Sequence, residues 1–160
     1  MADEKTLERA KATYETLCRT LDNMKWKYSK NDETLSVQCG VQGDDLPIEI
    51  GIEVDIERTL VILLSRMPFV IQEDKRLDIA VAISAINNGL VDGCFDYDIG
   101  TGYVFFRMCN SFIDRDLGET LFAYMVVCSC HHVDEYNDKF LMISKGMLGI
   151  EQFIQELNKS

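Results

Sequence analysis

Proline is nearly missing from this chain: Pro47 and Pro68 are all it has in 160 residues. There is also no serine-rich or glycine-rich tract and no internal repeat, which excludes long linkers and stacked-repeat architectures. Positive charge is scarce too. Sixteen Lys and Arg face 27 Asp and Glu, for a net charge of −11. That excess repels phosphate backbones and anionic bilayers, so neither nucleic acid nor membrane is expected as a partner. It also keeps a protein soluble. The longest apolar run, Leu121 to Cys128, falls far short of the roughly 20 residues of a spanning helix. The first residues, Met1 to Lys5, carry no apolar core of a targeting peptide. The expected compartment is the cytoplasm, where the six cysteines stay reduced and sit mostly buried as small hydrophobes.

What is present is ordinary for a globular domain: 47% hydrophobic and 27% charged residues. A length of 160 residues suits one domain over 1–160, with a core over about 3–146 and a short helix over about 150–158. From Asp3 to Met24, Leu7, Ala10, Tyr14, Leu17, Leu21 and Met24 recur at steps of three and four, the stripe of an amphipathic helix. Trp26 to Lys30 is a short extended segment. Leu35 to Val41 reads as a strand. Pro47 to Glu57 is the cleanest strand, with Ile48, Ile50, Ile52, Val54 and Ile56 alternating against an acidic face. Thr59 to Ser65 completes a meander.

A helix follows from about Arg76 to Asn88. Ile79, Ile83, Ile86 and Leu90 form one apolar row, and Leu77, Ala80, Val81 and Ala85 widen it. A helix apolar over more than half its circumference needs partners on two sides. The sheet can supply one, and a second subunit the other. Next comes a β-hairpin with Gly100, Thr101 and Gly102 at its tip. Its second strand, Tyr103 to Met108, is apolar on both faces, with Val104, Phe106 and Met108 opposite Tyr103 and Phe105. Asp116 and Glu119 have capping-box spacing for a helix from Leu117 to about Tyr136. Asn137 and Asp138 are expected to interrupt that helix before Lys139 to Lys145 resumes it. Ile150, Phe153, Ile154 and Leu157 mark a last short helix. The expected fold is α+β: an antiparallel sheet of about five strands with flanking helices, in the order α-β-β-β-α-β-β-α.

That order resembles the fold of type III secretion chaperones, and the sequence resembles the YbjN-like family of bacterial sensory transduction regulators. Three stretches carry the resemblance. They are Pro68 to Ile71; Ile86 and Asn87 with Gly93 to Asp98, Gly102 to Val104, Phe106 and Arg107; and the late helix with Asp138 and Gly146. It spans about Asp3 to Gly146. The stretch Asn110 to Arg115 and the helix from Ile150 depart from the pattern. The resemblance implies a small acidic bacterial protein without an assigned reaction, and the chaperone relatives imply a homodimer that holds partner segments. It supplies no active-site residues.

Cys128, Cys130, His131 and His132 form the most metal-like string. On a helix, residues two apart point about 200° from each other, so Cys128 and Cys130 do not share an ion, whereas Cys128 and His132 can. Two ligands do not close a site, and no resident metal or other cofactor is expected. Asp96, Asp98, Gly100 and Gly102 start like a calcium loop, but Arg107 stands where that loop needs glutamate. Asp92, Asp96 and Asp98 share one strand face, with Arg107 across the hairpin as their partner. No serine or cysteine elbow accompanies the histidines, and no phosphate-binding glycine loop is present. The reading is a non-catalytic protein-interaction module, chaperone- or regulator-like and homodimeric, with Ile79, Ile83, Ile86, Tyr103 and Phe105 as the partner surface. The alternative is a small-molecule- or metal-responsive regulator with a pocket between sheet and helices, using Cys128, Cys130 and His132.

Overall fold

The structure, a computed structural model, describes Asp3 to Lys159. Helix α1 runs Glu4–Asn23, and strands β1 to β4 run Tyr28–Asn31, Ser36–Gln42, Pro47–Asp55 and Leu60–Arg66. Helix α2 covers Arg76–Gly89, after one 3-10 turn at Glu73–Lys75. Strands β5 and β6 are Cys94–Asp98 and Tyr103–Ser111, and helices α3 and α4 are Glu119–Ser144 and Ile150–Leu157. The strands form one antiparallel sheet in the order β1-β2-β3-β4-β6-β5. The α+β class and element order are as expected, but the sheet has six strands among the described residues. The sixth is β1, whose mostly exposed residues show no alternation and gain strand geometry by pairing with Ser36–Cys39.

The alternation in β3 sets the layers. Ile48, Ile50, Ile52 and Val54 are each at most 2% exposed, while Glu49 and Glu53 face outward. Each such aliphatic burial stabilises by about 1.5–3 kcal/mol. The register puts Val37, Cys39, Val61, Leu63, Phe106, Val104 and Phe95 on that same face. The core is one continuous cluster from Ala10 to Phe153. α1 is capped by Asp3, whose carboxylate accepts from the Thr6 amide at 2.8 Å. It buries Ala10, Tyr14, Leu17 and Leu21; Leu7, counted into the stripe, is 39% exposed at the first turn.

Two glycines shape the hairpin. Gly93 has φ +76°, and a Cβ there would stand 2.5 Å from the Phe106 ring. Gly102 has φ +83° at the tip, where a Cβ would meet the Ile71 carbonyl at 2.6 Å. Asn87 fastens α2 to β5 in both directions: its amide donates to the Phe95 carbonyl at 2.9 Å and accepts from the Phe95 N–H at 2.8 Å. Asn88 is exposed. Phe95 then packs edge-on against Phe106, Phe140 and Tyr136, with ring centroids 5.1, 5.2 and 5.7 Å away.

Two expectations about α3 fail. Its N-cap is Gly118, without a side-chain cap. Asp116 is instead exposed beside Arg9, and the Glu119 carboxylate reaches α1, accepting from Arg19 Nε at 2.6 Å and Asn23 Nδ2 at 2.9 Å. A local box lost to a longer-range pair of partners. Nor do Asn137 and Asp138 interrupt the helix: Asn137 is fully buried on the inward side, so packing overrides its weak helix preference. Among the described residues no helix is long and apolar enough to cross a membrane.

Candidate functional site

The helices leave one face of the sheet bare. On β4 that outer face carries Leu60, Ile62 and Leu64, and on β6 it carries Tyr103, Phe105, Arg107 and Cys109, all half-buried or exposed. The register lines them up in cross-strand rows: Ile62 beside Cys109, Leu64 beside Arg107 and Cys94, Arg66 beside Phe105 and Asp96. Gly51 extends the Leu64 row onto β3 without a side chain, so the surface dips there. Leu60, Ile62, Leu64, Phe105, Arg107 and Cys109 line a shallow concavity of about 850 Å³.

Charge rims this apolar patch. Arg107 donates to both oxygens of Asp96, at 2.5 and 3.2 Å, a bidentate pair that orients the guanidinium. The pair is over 40% exposed on each side, so it adds little stability. Its hydrogen bonds with Asp96 push the already high Arg107 pKa higher. Arg66 lies 4.2 Å over the Tyr103 ring, within cation–π range. The expected Asp96–Arg107 pairing is present. Asp92, however, lies before β5 and accepts from the Tyr124 hydroxyl at 2.5 Å, so it does not share a strand face with Asp96 and Asp98. At the tip, the Asp98 carboxylate accepts from the Gly100 and Thr101 amides at 2.9 and 3.2 Å. A hydrogen bond from the Thr101 side chain, with those two amide bonds, holds Asp98 below the usual carboxylate range.

The partner surface expected on α2 needs correction. Ile79, Ile83 and Ile86 are 0, 6 and 2% exposed, inside the chain's own core. Their second partner is the C-terminal part of the same chain: α2 packs against both α3 and α4, with Phe153 buried and Ile150 and Ile154 half-buried. What α2 leaves outside is Leu77 and Val81, 74 and 53% exposed. Tyr103 and Phe105 lie on the open face as expected.

A second cluster lies on α3. Donor atoms of His131, His132 and Glu135 all lie within 4.8 Å of one another. Burial lowers the His132 pKa, keeping the ring neutral over more of the pH range. Cys128 and Cys130 lie outside this three-ligand group. Cys130 is turned toward Cys39 of β2, and burial lifts both thiols to about 11. Glu135 was missed by the sequence reading, although the spacing His131-x-x-x-Glu135 marks one helix face. The cysteines are also less buried than expected: Cys39 and Cys128 are buried, Cys18, Cys94 and Cys130 half-buried, and Cys109 exposed.

The fold is that of type III secretion chaperones and YbjN. YbjN from E. coli superposes with a TM-score of 0.57 at 15% identity, covering 78% of this chain and 91% of that one. The ExsC–ExsE complex gives 0.56 at 16% identity over 78% and 90%. The HopA1–SchA chaperone–effector complex gives 0.51 at 12% over 84% and 96%. No family model and no curated protein matches the sequence.

Proposed function

We propose that this chain is a non-catalytic protein-interaction module that works as a homodimer and offers the outer face of its sheet to protein. The observation that carries this reading is the bare, half-apolar face formed by Leu60, Ile62, Leu64, Tyr103 and Phe105. Such a face, rimmed by oriented charges, suits a protein partner: the apolar centre supplies affinity, and the Arg107–Asp96 and Arg66–Tyr103 pairs supply orientation. The solved neighbours support it, since two of them are complexes and one pairs a chaperone with an effector. Leu77 and Val81, exposed on α2 in place of the buried isoleucines, form a second apolar patch on the helical side.

Sedimentation velocity at micromolar concentration tests the proposal. The expected species is a dimer that Phe105→Glu or Leu77→Glu converts to a folded monomer with unchanged circular dichroism. A wild-type chain that stays monomeric across that range overturns the homodimer.

A further inference from the structure

We propose that His131, His132 and Glu135 form a binding site for a divalent transition-metal ion of the zinc and nickel class, on α3 where it borders α2 and α4. The inference does not depend on the reading above, because the cluster belongs to the helical layer and the bare face to the other side of the sheet.

Three observations converge. First, both histidines address one atom. His131 Nε2 is 3.8 Å and His132 Nδ1 is 3.9 Å from the same Glu135 oxygen, Oε2. Residues three and four apart on a helix share a face, so His131 and His132 reach Glu135 from adjacent positions. Second, the three donor atoms cluster within 4.8 Å, with both His–Glu135 separations loose. Both separations exceed hydrogen-bond length, and His132 Nδ1 is buried with no partner. A buried polar nitrogen in that state calls for an acceptor or an electrophile, and a cation coordinated there satisfies it. Third, two imidazoles and one carboxylate are a donor set that binds zinc, nickel, cobalt or ferrous iron, with positions left for other ligands.

The geometry asks for an adjustment. Bonds of about 2.0 Å place tetrahedral zinc ligands roughly 3.3 Å apart, so the two histidine–glutamate separations must close by about half an ångström and any pair near the 4.8 Å limit of the cluster by about 1.5 Å. His131, with a side chain 72% exposed, is free to turn. His132 is held against the Phe106 ring, with centroids 5.4 Å apart, and provides the fixed ligand. His132 and Glu135 also line a crevice of about 800 Å³ between α3, α2 and α4, whose other walls include Ser84, Asn88 and Asn158. Water or a small oxygen-donor ligand fits there. The acidic chain, at −11, favours cation approach.

The bland alternative is a surface histidine–glutamate ion pair with no more metal affinity than a lone imidazole. Calorimetry and native mass spectrometry of the full chain, stripped with chelator, kept reduced and titrated with nickel or zinc chloride, separate the two. The expected result is one ion per chain at micromolar affinity, weakened at least about tenfold by His131→Ala and by Glu135→Gln and unchanged by Cys128→Ser and Cys109→Ser. Both imidazole proton signals should shift with substoichiometric zinc. Because His131 and Glu135 are exposed, circular dichroism should match the parent. Absence of a bound ion at millimolar metal overturns the proposal, and so does binding that survives both variants or is lost with the cysteines.

Discussion

Helix α2 and strand β6 both carry apolar side chains on more than one side, and the fold treats them differently. Around α2, the sheet takes one flank and α3 with α4 takes another, so Ile79, Ile83 and Ile86 disappear into the core. Around β6, the inner side chains Val104 and Phe106 are fully buried, while Tyr103 and Phe105 keep an uncovered side. The difference is geometric. A helix is a cylinder that several neighbours can surround. A sheet has only two faces, and every described helix has gone to one of them. Apolar residues on several sides of a helix can therefore be satisfied within one chain, whereas on a strand they point to a face that something else must cover.

That contrast can be broken by mutation. The largest effect is expected at Phe106: Phe106→Ala should cost about 3–5 kcal/mol in urea unfolding, against about 1 kcal/mol or less for Phe105→Ala one residue earlier. Equal losses would mean the outer face is covered in solution. Phe153→Ala should cost about 3 kcal/mol by removing the anchor of α4 from the flank of α2; a neutral result would show that α4 does not seal that flank. Asn87→Ala should cost about 2 kcal/mol, since it strands the Phe95 N–H and carbonyl, while Asn88→Ala should stay within about 0.5 kcal/mol. In the native state, a thiol reagent should modify Cys109 on the outer face at least about tenfold faster than Cys39 on the inner one, as followed by mass spectrometry.

The smallest effect concerns pH. Hydrogen bonds from Tyr14 and Lys30 lower Asp32, and bonds from Arg19 and Asn23 lower Glu119, from ordinary values of 3.8 and 4.5. A carboxyl whose folded pKa is depressed stabilises the fold above its unfolded value and loses that contribution as pH falls through the folded one. Thermal midpoints should therefore fall first below about pH 6.5, where burial disfavours the protonated form of His132, and further below about 4.5 as these carboxyls protonate. Arg19→Gln should flatten only part of that decline, because Glu119 keeps Asn23 and Asp32 keeps its bonds from Tyr14 and Lys30.

Much of the fold was legible beforehand. β3 could be read because alternation of Ile48, Ile50, Ile52 and Val54 with acids is a local consequence of one buried face. The hairpin could be read because Gly100 and Gly102 permit its turn. β1 could not be counted, since Tyr28 to Asn31 owes its geometry to pairing with β2. The box at Asp116 and Glu119 was a valid local signal that Arg19 and Asn23, about a hundred residues away, outbid. Of the candidate surface residues, Tyr103 and Phe105 share the outer side of β6, an orientation that strand period alone predicts. The exposure of Leu77 and Val81 in place of Ile79 and Ile83 depended on where α4 lands.

By itself, the order of residues determined which side of each element is apolar, where the chain turns, and that its charge repels polyanions. Those properties are set within a few residues or summed over the whole chain. Only the tertiary structure decided which apolar sides the chain covers with its own helices and which it leaves open, and which ligating side chains meet. Coverage depends on contacts between segments far apart in sequence: α4 reaches α2 across about 60 residues of chain, and none of the described helices closes over Phe105.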